Sequence, residues 1–105
     1  MFEINGIYWR IKWVAPYDKN LLKDDDTYAI GVCDNTTKTI SLLETLKGSM
    51  LKKVLTHEIV HAAMFSYNVY LSPDQEEIIA DIIATYGEEI INITNKVFKK
   101  LRFYS

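Results

Sequence analysis

Val54-Leu55-Thr56-His57-Glu58-Ile59-Val60-His61-Ala62 is the stretch on which the reading of this chain turns. Met50, Val54, Leu55, Ile59, Ala62, Ala63 and Phe65 recur there at helical spacing, which predicts a helix over 49–67 with Ser49 as its N-cap after Gly48. In a helix, residues four apart share a face, one turn from each other. Imidazoles at His57 and His61 can therefore reach one tetrahedral Zn2+ at about 2.0–2.1 Å each. Glu58 projects from a neighbouring angle. There it would touch a zinc-bound water and take its proton rather than ligate the metal. Two histidines and a glutamate on an otherwise apolar helix make an odd core without a metal.

His57 and His61 are the only two histidines of the chain. A catalytic zinc needs a third protein ligand and an open position, so a carboxylate is expected. The next predicted helix, 73–101, offers Glu76, Glu77 and Asp81. Ser72-Pro73-Asp74 opens it with Pro73 at its first position. Ile79, Ile82, Ile83, Tyr86, Ile90, Ile93 and Val97 form its apolar stripe, Gly87 is a point of weakness or bending, and Lys96, Lys99, Lys100 and Arg102 suit its C-terminus. Glu76 lies nearer the apolar stripe and could point inward. Cys33 is a conceivable ligand by chemistry, but it lies in a strand-like region and reads as a small apolar residue.

Upstream the pattern is β-rich over 1–44. Asn5-Gly6 is a hairpin turn between Phe2–Ile4 and Ile7–Val14. Ile7, Trp9, Ile11 and Trp13 alternate with Tyr8, Arg10, Lys12 and Val14, as a half-buried strand requires. Pro16 ends that strand. The polar segment 17–26 closes on Asp24-Asp25-Asp26, which lacks the glycine and closing glutamate of a calcium loop and reads as solvated. Thr27–Cys33 and Lys38–Leu43 read as two further strands around the turn Asp34-Asn35-Thr36-Thr37. The expectation is one α+β domain over 1–105: an antiparallel sheet of three to four strands, then the histidine helix and the glutamate helix. Lys38–Leu43 would be either an edge that pairs with an extended peptide or an internal strand.

The His-Glu-x-x-His helix followed by a glutamate-bearing helix resembles the gluzincin group of zinc metallopeptidases. In that group the ligand glutamate is often followed, four residues later, by an aspartate that hydrogen-bonds a zinc-ligating histidine. Glu77-Ile78-Ile79-Ala80-Asp81 fits this pattern, which implies Glu77 as third ligand and Asp81 as the partner of a histidine, with Glu76 the alternative ligand. The layout is also similar to small ImmA/IrrE-like and phage-borne zincins. It departs from them in having no helix ahead of the sheet and only a short connection between the two helices, which implies a minimal, shallow-clefted version. The resemblance implies a zinc metallopeptidase, latent or partner-dependent in some settings, acting on a peptide or protein, and the lack of a signal-like or membrane-spanning stretch gives the expectation of a cytoplasmic location.

Composition narrows the alternatives. A net charge of -2 argues against a nucleic-acid footprint, and the single cysteine excludes a disulfide framework or a thiolate zinc finger. No basic start with an apolar stretch marks a secretory signal, and no apolar run approaches a membrane span. The competing expectation is a non-catalytic module, stabilised by the same zinc, that binds a protein partner.

Overall fold

Asn5 and Gly6 both adopt positive φ, 50° and 78°. That is the backbone of a tight hairpin turn, and it joins β1 (Phe2–Ile4) to β2 (Ile7–Val14). The computed structural model describes residues 1–102. After β2 come a short 3-10 turn at Lys19–Leu21, β3 (Gly31–Asp34), β4 (Thr39–Leu43), α1 (Gly48–Ser66) and α2 (Pro73–Leu101).

The architecture is α+β, but the sheet is mixed, not antiparallel. Its order is β1-β2-β4-β3, and β4 runs parallel to β2, with Ile11 beside Ile40 and Trp13 beside Leu42. The long connection after Pro16 makes this arrangement accessible, because a parallel pair needs a crossover and not a tight turn. Of the expected strand Thr27–Cys33, only residues from Gly31 onward join the ladder. Tyr28 makes just an isolated bridge to Leu22. Lys38–Leu43 is therefore internal, and β3 is the free edge beside it. Alternation in β2 holds through Ile11 and then reverses: Val14 is buried and Trp13 is half-exposed. The 3-10 turn contacts β3 and β4, and Leu21 is buried there, so a second apolar spot forms away from the main core.

The main core lies between the sheet and α1. Trp9, Ile40, Leu42, Val54 and Ala62 form its centre. The indole N–H of Trp9 donates to Ser66 Oγ at 2.8 Å, and Asn5 Nδ2 donates to the Ser66 carbonyl at 3.0 Å. These bonds fasten the end of α1 to the first hairpin. Lys47 is the N-cap of α1 and makes no side-chain cap bond, so Ser49 lies inside the helix.

Ser72 caps α2 with a reciprocal Gln75 bond and Pro73 follows, as the sequence implies. Gly87 does not interrupt it. The face of α2 that meets α1 is different from the one its apolar stripe suggests. Only Ala80 of this helix is buried. Glu76, Glu77, Ala80 and Asp81 turn toward α1, while the isoleucine stripe faces away. Small residues allow the helices to approach, and the imidazoles of α1 receive the carboxylates. Lys52 of α1 and Glu88 of α2 pair across the two helices at 2.8 Å. From residue 89 to 101 every side chain of α2 is exposed, and the molecule is elongated, 55 × 30 × 27 Å.

Candidate metal centre

α1 carries His57, Glu58 and His61 on the side facing β3 and α2. The two imidazole rings stand edge to face with centroids 4.9 Å apart, and their Nε2 atoms approach to 3.2 Å. The Glu77 carboxylate closes the group: Oε2 lies 3.1 Å from His57 Nε2, and Oε1 lies 2.9 Å from His61 Nε2. The outer ring nitrogens have their own partners. His57 Nδ1 lies 3.0 Å from Asp81 Oδ1, and His61 Nδ1 lies 2.6 Å from Glu76 Oε1.

Each outer nitrogen can donate its hydrogen to the carboxylate beside it. A neutral imidazole whose Nδ1–H donates to a carboxylate presents a lone pair at Nε2. Both Nε2 lone pairs then converge with a carboxylate oxygen on one point. Such a donor set repels itself unless a cation lies between its members. Three ligands of a tetrahedral zinc, each about 2.0–2.1 Å from the metal, would stand about 3.3 Å from one another. The observed separations, 2.9 to 3.2 Å, are close to that. His57, His61 and Glu77 could therefore hold a metal ion. Carboxylates on the outer nitrogens orient the rings and make them more basic ligands.

Glu58 is buried, and it lies outside that three-residue group. Burial raises its pKa; the nearby His57 and His61 oppose the shift, as does the backbone amide of Cys33. That amide is available because of the ladder pattern. The Leu43 amide bonds the Ile30 carbonyl at 3.0 Å, so Ile30, Val32 and Asp34 pair with β4, and the peptide groups of Gly31 and Cys33 point to the free edge. Gly31 lets α1 come close: a Cβ there would sit 2.7 Å from Val54 Cγ1 and 3.3 Å from Glu58 Cγ.

Cys33 packs against the core, and burial pushes its thiol up to about 12, far from the thiolate that binds metal. Neither it nor the Asp24–Asp26 segment belongs to the cluster.

The site opens into a groove of about 1060 Å³ between β3, α1 and the first turns of α2, lined on its apolar side by Ile30, Val54, Phe65 and Leu71. Lys23 and Lys53 also line it, the only lysines to do so.

Sequence reasoning singled out every acidic residue of this cluster but not each one's position. Glu76 stands on the outer nitrogen of His61 instead of competing for the inner position. A helix-wheel count could have suggested this, because Glu76 and Glu77 differ by about 100° and cannot both face one point. Gly31 and the Cys33 amide carried no signal without the strand register. No family model matches this chain, and no curated protein or solved structure matches it either.

Proposed function

We propose that this protein is a minimal gluzincin-type zinc peptidase, with His57, His61 and Glu77 as zinc ligands and Glu58 as the general base. One observation carries the reading: two imidazole Nε2 atoms and the Glu77 carboxylate converge within about 3 Å while Asp81 and Glu76 hold both outer nitrogens.

A zinc ion bound there would supply a Lewis acid that polarises a carbonyl and acidifies a water. Glu58 takes the proton of the attacking water and returns it to the leaving amine. Burial supports that role, because a carboxylate with a raised pKa is a stronger base and a better temporary holder of a proton. The free edge of β3, and not β4, would receive an extended peptide as an added strand. The outward peptide groups of Gly31 and Cys33 lie beside Glu58, so a strand paired there passes over the cluster. The groove gives one substrate side chain an apolar wall at Val54 and Phe65.

The open groove favours this reading over the non-catalytic module, since a structural zinc is closed by a fourth protein ligand. The test is metal analysis followed by a peptide-library digest. The expected result is one zinc per chain, cleavage by the native protein, and a Glu58→Gln variant that keeps zinc and does not cleave. Cleavage that persists in Glu58→Gln defeats the mechanism. Stoichiometric zinc with no peptide cut leaves the module as the better account. Failure to take up zinc removes both.

A further inference from the structure

Large apolar residues on α2 lie where no other part of the described chain covers them. Successive helical residues advance by about 100°. Glu77, Ala80, Asp81 and Ala84 cluster around one side of the wheel, the side against α1. Ile79, Ile83, Tyr86, Ile90, Ile93 and Val97 fall on the other, with alternating steps of four and three. That is the spacing of a coiled-coil seam. Ile83 is 40% exposed, Tyr86 54%, Ile90 52%, Ile93 53% and Val97 48%.

We propose that this seam is a homodimer interface in which two copies pair α2 against α2, antiparallel. A second copy is the occupant that the charges select. Glu89 borders the seam ahead of its midpoint, and Lys96 and Lys100 border it behind, on the same flank. Parallel pairing would set like charges together. Antiparallel pairing sets the acidic residue of each copy against the basic residues of the other.

The register follows from the seam. Layers of an antiparallel pair place Ile90 against Ile93 of the second copy and Tyr86 against Val97 of the second copy. Glu89 and Lys96 border the seam on one flank, so the same register brings Glu89 near Lys96 of the second copy, twice by symmetry. The exposed seam residues Ile83, Tyr86, Ile90, Ile93 and Val97 offer roughly 500 Å² per copy, against the ~800 Å² per partner of a standard interface, which suits a modest self-association. That area is also toward the upper end of the apolar patch a monomer ordinarily leaves bare. From residue 89 to 101 every side chain of α2 is exposed, so this part of the seam is accessible to a second copy. The histidine cluster stays outside the interface, and the proposal is independent of the zinc reading.

The experiment is light scattering and sedimentation on the full chain at about 100 μM, a concentration that populates even a modest self-association. The expected mass is twice that of one chain. Ile90→Glu with Ile93→Glu should give a monomer with unchanged circular dichroism in the sheet and α1, since these residues lie beyond the α1 contact. Glu89→Lys or Lys96→Glu alone should each weaken the dimer about threefold to tenfold at low salt, and an equal mixture of the two should recover it. A monomer at that concentration overturns the proposal, as does a dimer indifferent to the paired isoleucine changes. Charge variants without effect, or without recovery on mixing, overturn the antiparallel pairing. A monomer that binds anionic lipid vesicles or another protein through the seam assigns the face elsewhere.

Discussion

Glu58 illustrates how much one residue's setting departs from its type. Its carboxylate is buried beside two imidazoles and under a strand edge, and burial raises its pKa. In the metal-free chain the folded state therefore holds this proton to a higher pH than the unfolded state does. Below the ordinary carboxylate pKa of 4.5 the group is neutral in both states and costs nothing. As pH rises through the raised value, the folded state must bury a charge and stability falls. Glu58→Gln should accordingly leave metal-free stability unchanged near pH 4 and increase it near pH 7; a thermal-melt series over pH checks this. A variant less stable than the native chain at neutral pH contradicts the account. Glu76 and Glu77 separate just as clearly. Glu77→Gln removes the charge of the proposed ligand oxygen and should abolish tight zinc binding. Glu76→Gln only loosens the His61 ring and should weaken zinc by about 10–100-fold, read by competition with a chelating dye. The meeting of His57 and His61 was legible because a four-residue spacing fixes a common helical face, with Glu58 at a neighbouring angle. The division of labour between Glu76 and Glu77 was not, because it depends on the rotation of α2 about its axis.

Elements fit together here through a few close approaches that composition does not advertise. β3 lies against α1 only because residue 31 has no side chain. Gly31→Ala would place a methyl 2.7 Å from Val54 Cγ1, and the helix or the strand must shift. Overpacking of this kind costs about 1–3 kcal/mol. The shift would also move Glu58, so Gly31→Ala should lower both the melting temperature and any hydrolytic rate, and Val54→Ala added to it should recover part of each. At the other end of α1, Ser66→Ala would leave the buried Trp9 N–H without its acceptor, at about 1–3 kcal/mol, measurable by denaturant unfolding. The first hairpin was readable from Asn5-Gly6 because a two-residue turn is a local decision. The parallel pairing of β2 with β4 was not, since nothing in Ile7–Val14 or Thr39–Leu43 specifies direction. The stripe on α2 was correctly located along the chain but wrongly presumed to face the core. Apolar periodicity identifies a face, and only the partner's chemistry decides what that face meets.

At the scale of the whole molecule, a small core and a concentrated negative charge meet at one place. Glu58, Glu76, Glu77 and Asp81 bring four carboxylates around two imidazoles, in a chain whose core centre is five residues. A divalent cation held there would relieve the crowding of these carboxylates and cross-link α1 to α2, which otherwise meet through alanines and acids. Metal binding and stability must then be linked. At a free zinc concentration of about 100 times Kd the folded state gains ~2.7 kcal/mol. For a domain near this size each kcal/mol is about 4–8 °C in melting temperature, so saturating zinc should raise it by roughly 10–20 °C. The gain should vanish in His61→Ala and in excess chelator, and it should survive in Glu58→Gln if Glu58 acts as the proposed base and not as a ligand. Differential scanning calorimetry across a zinc titration reads all three. A melting temperature indifferent to zinc would mean that the cluster is an ion-paired network and not a metal centre. A gain lost in Glu58→Gln would mean that Glu58 ligates the metal, which would remove the base from the proposed hydrolysis while leaving the centre itself in place.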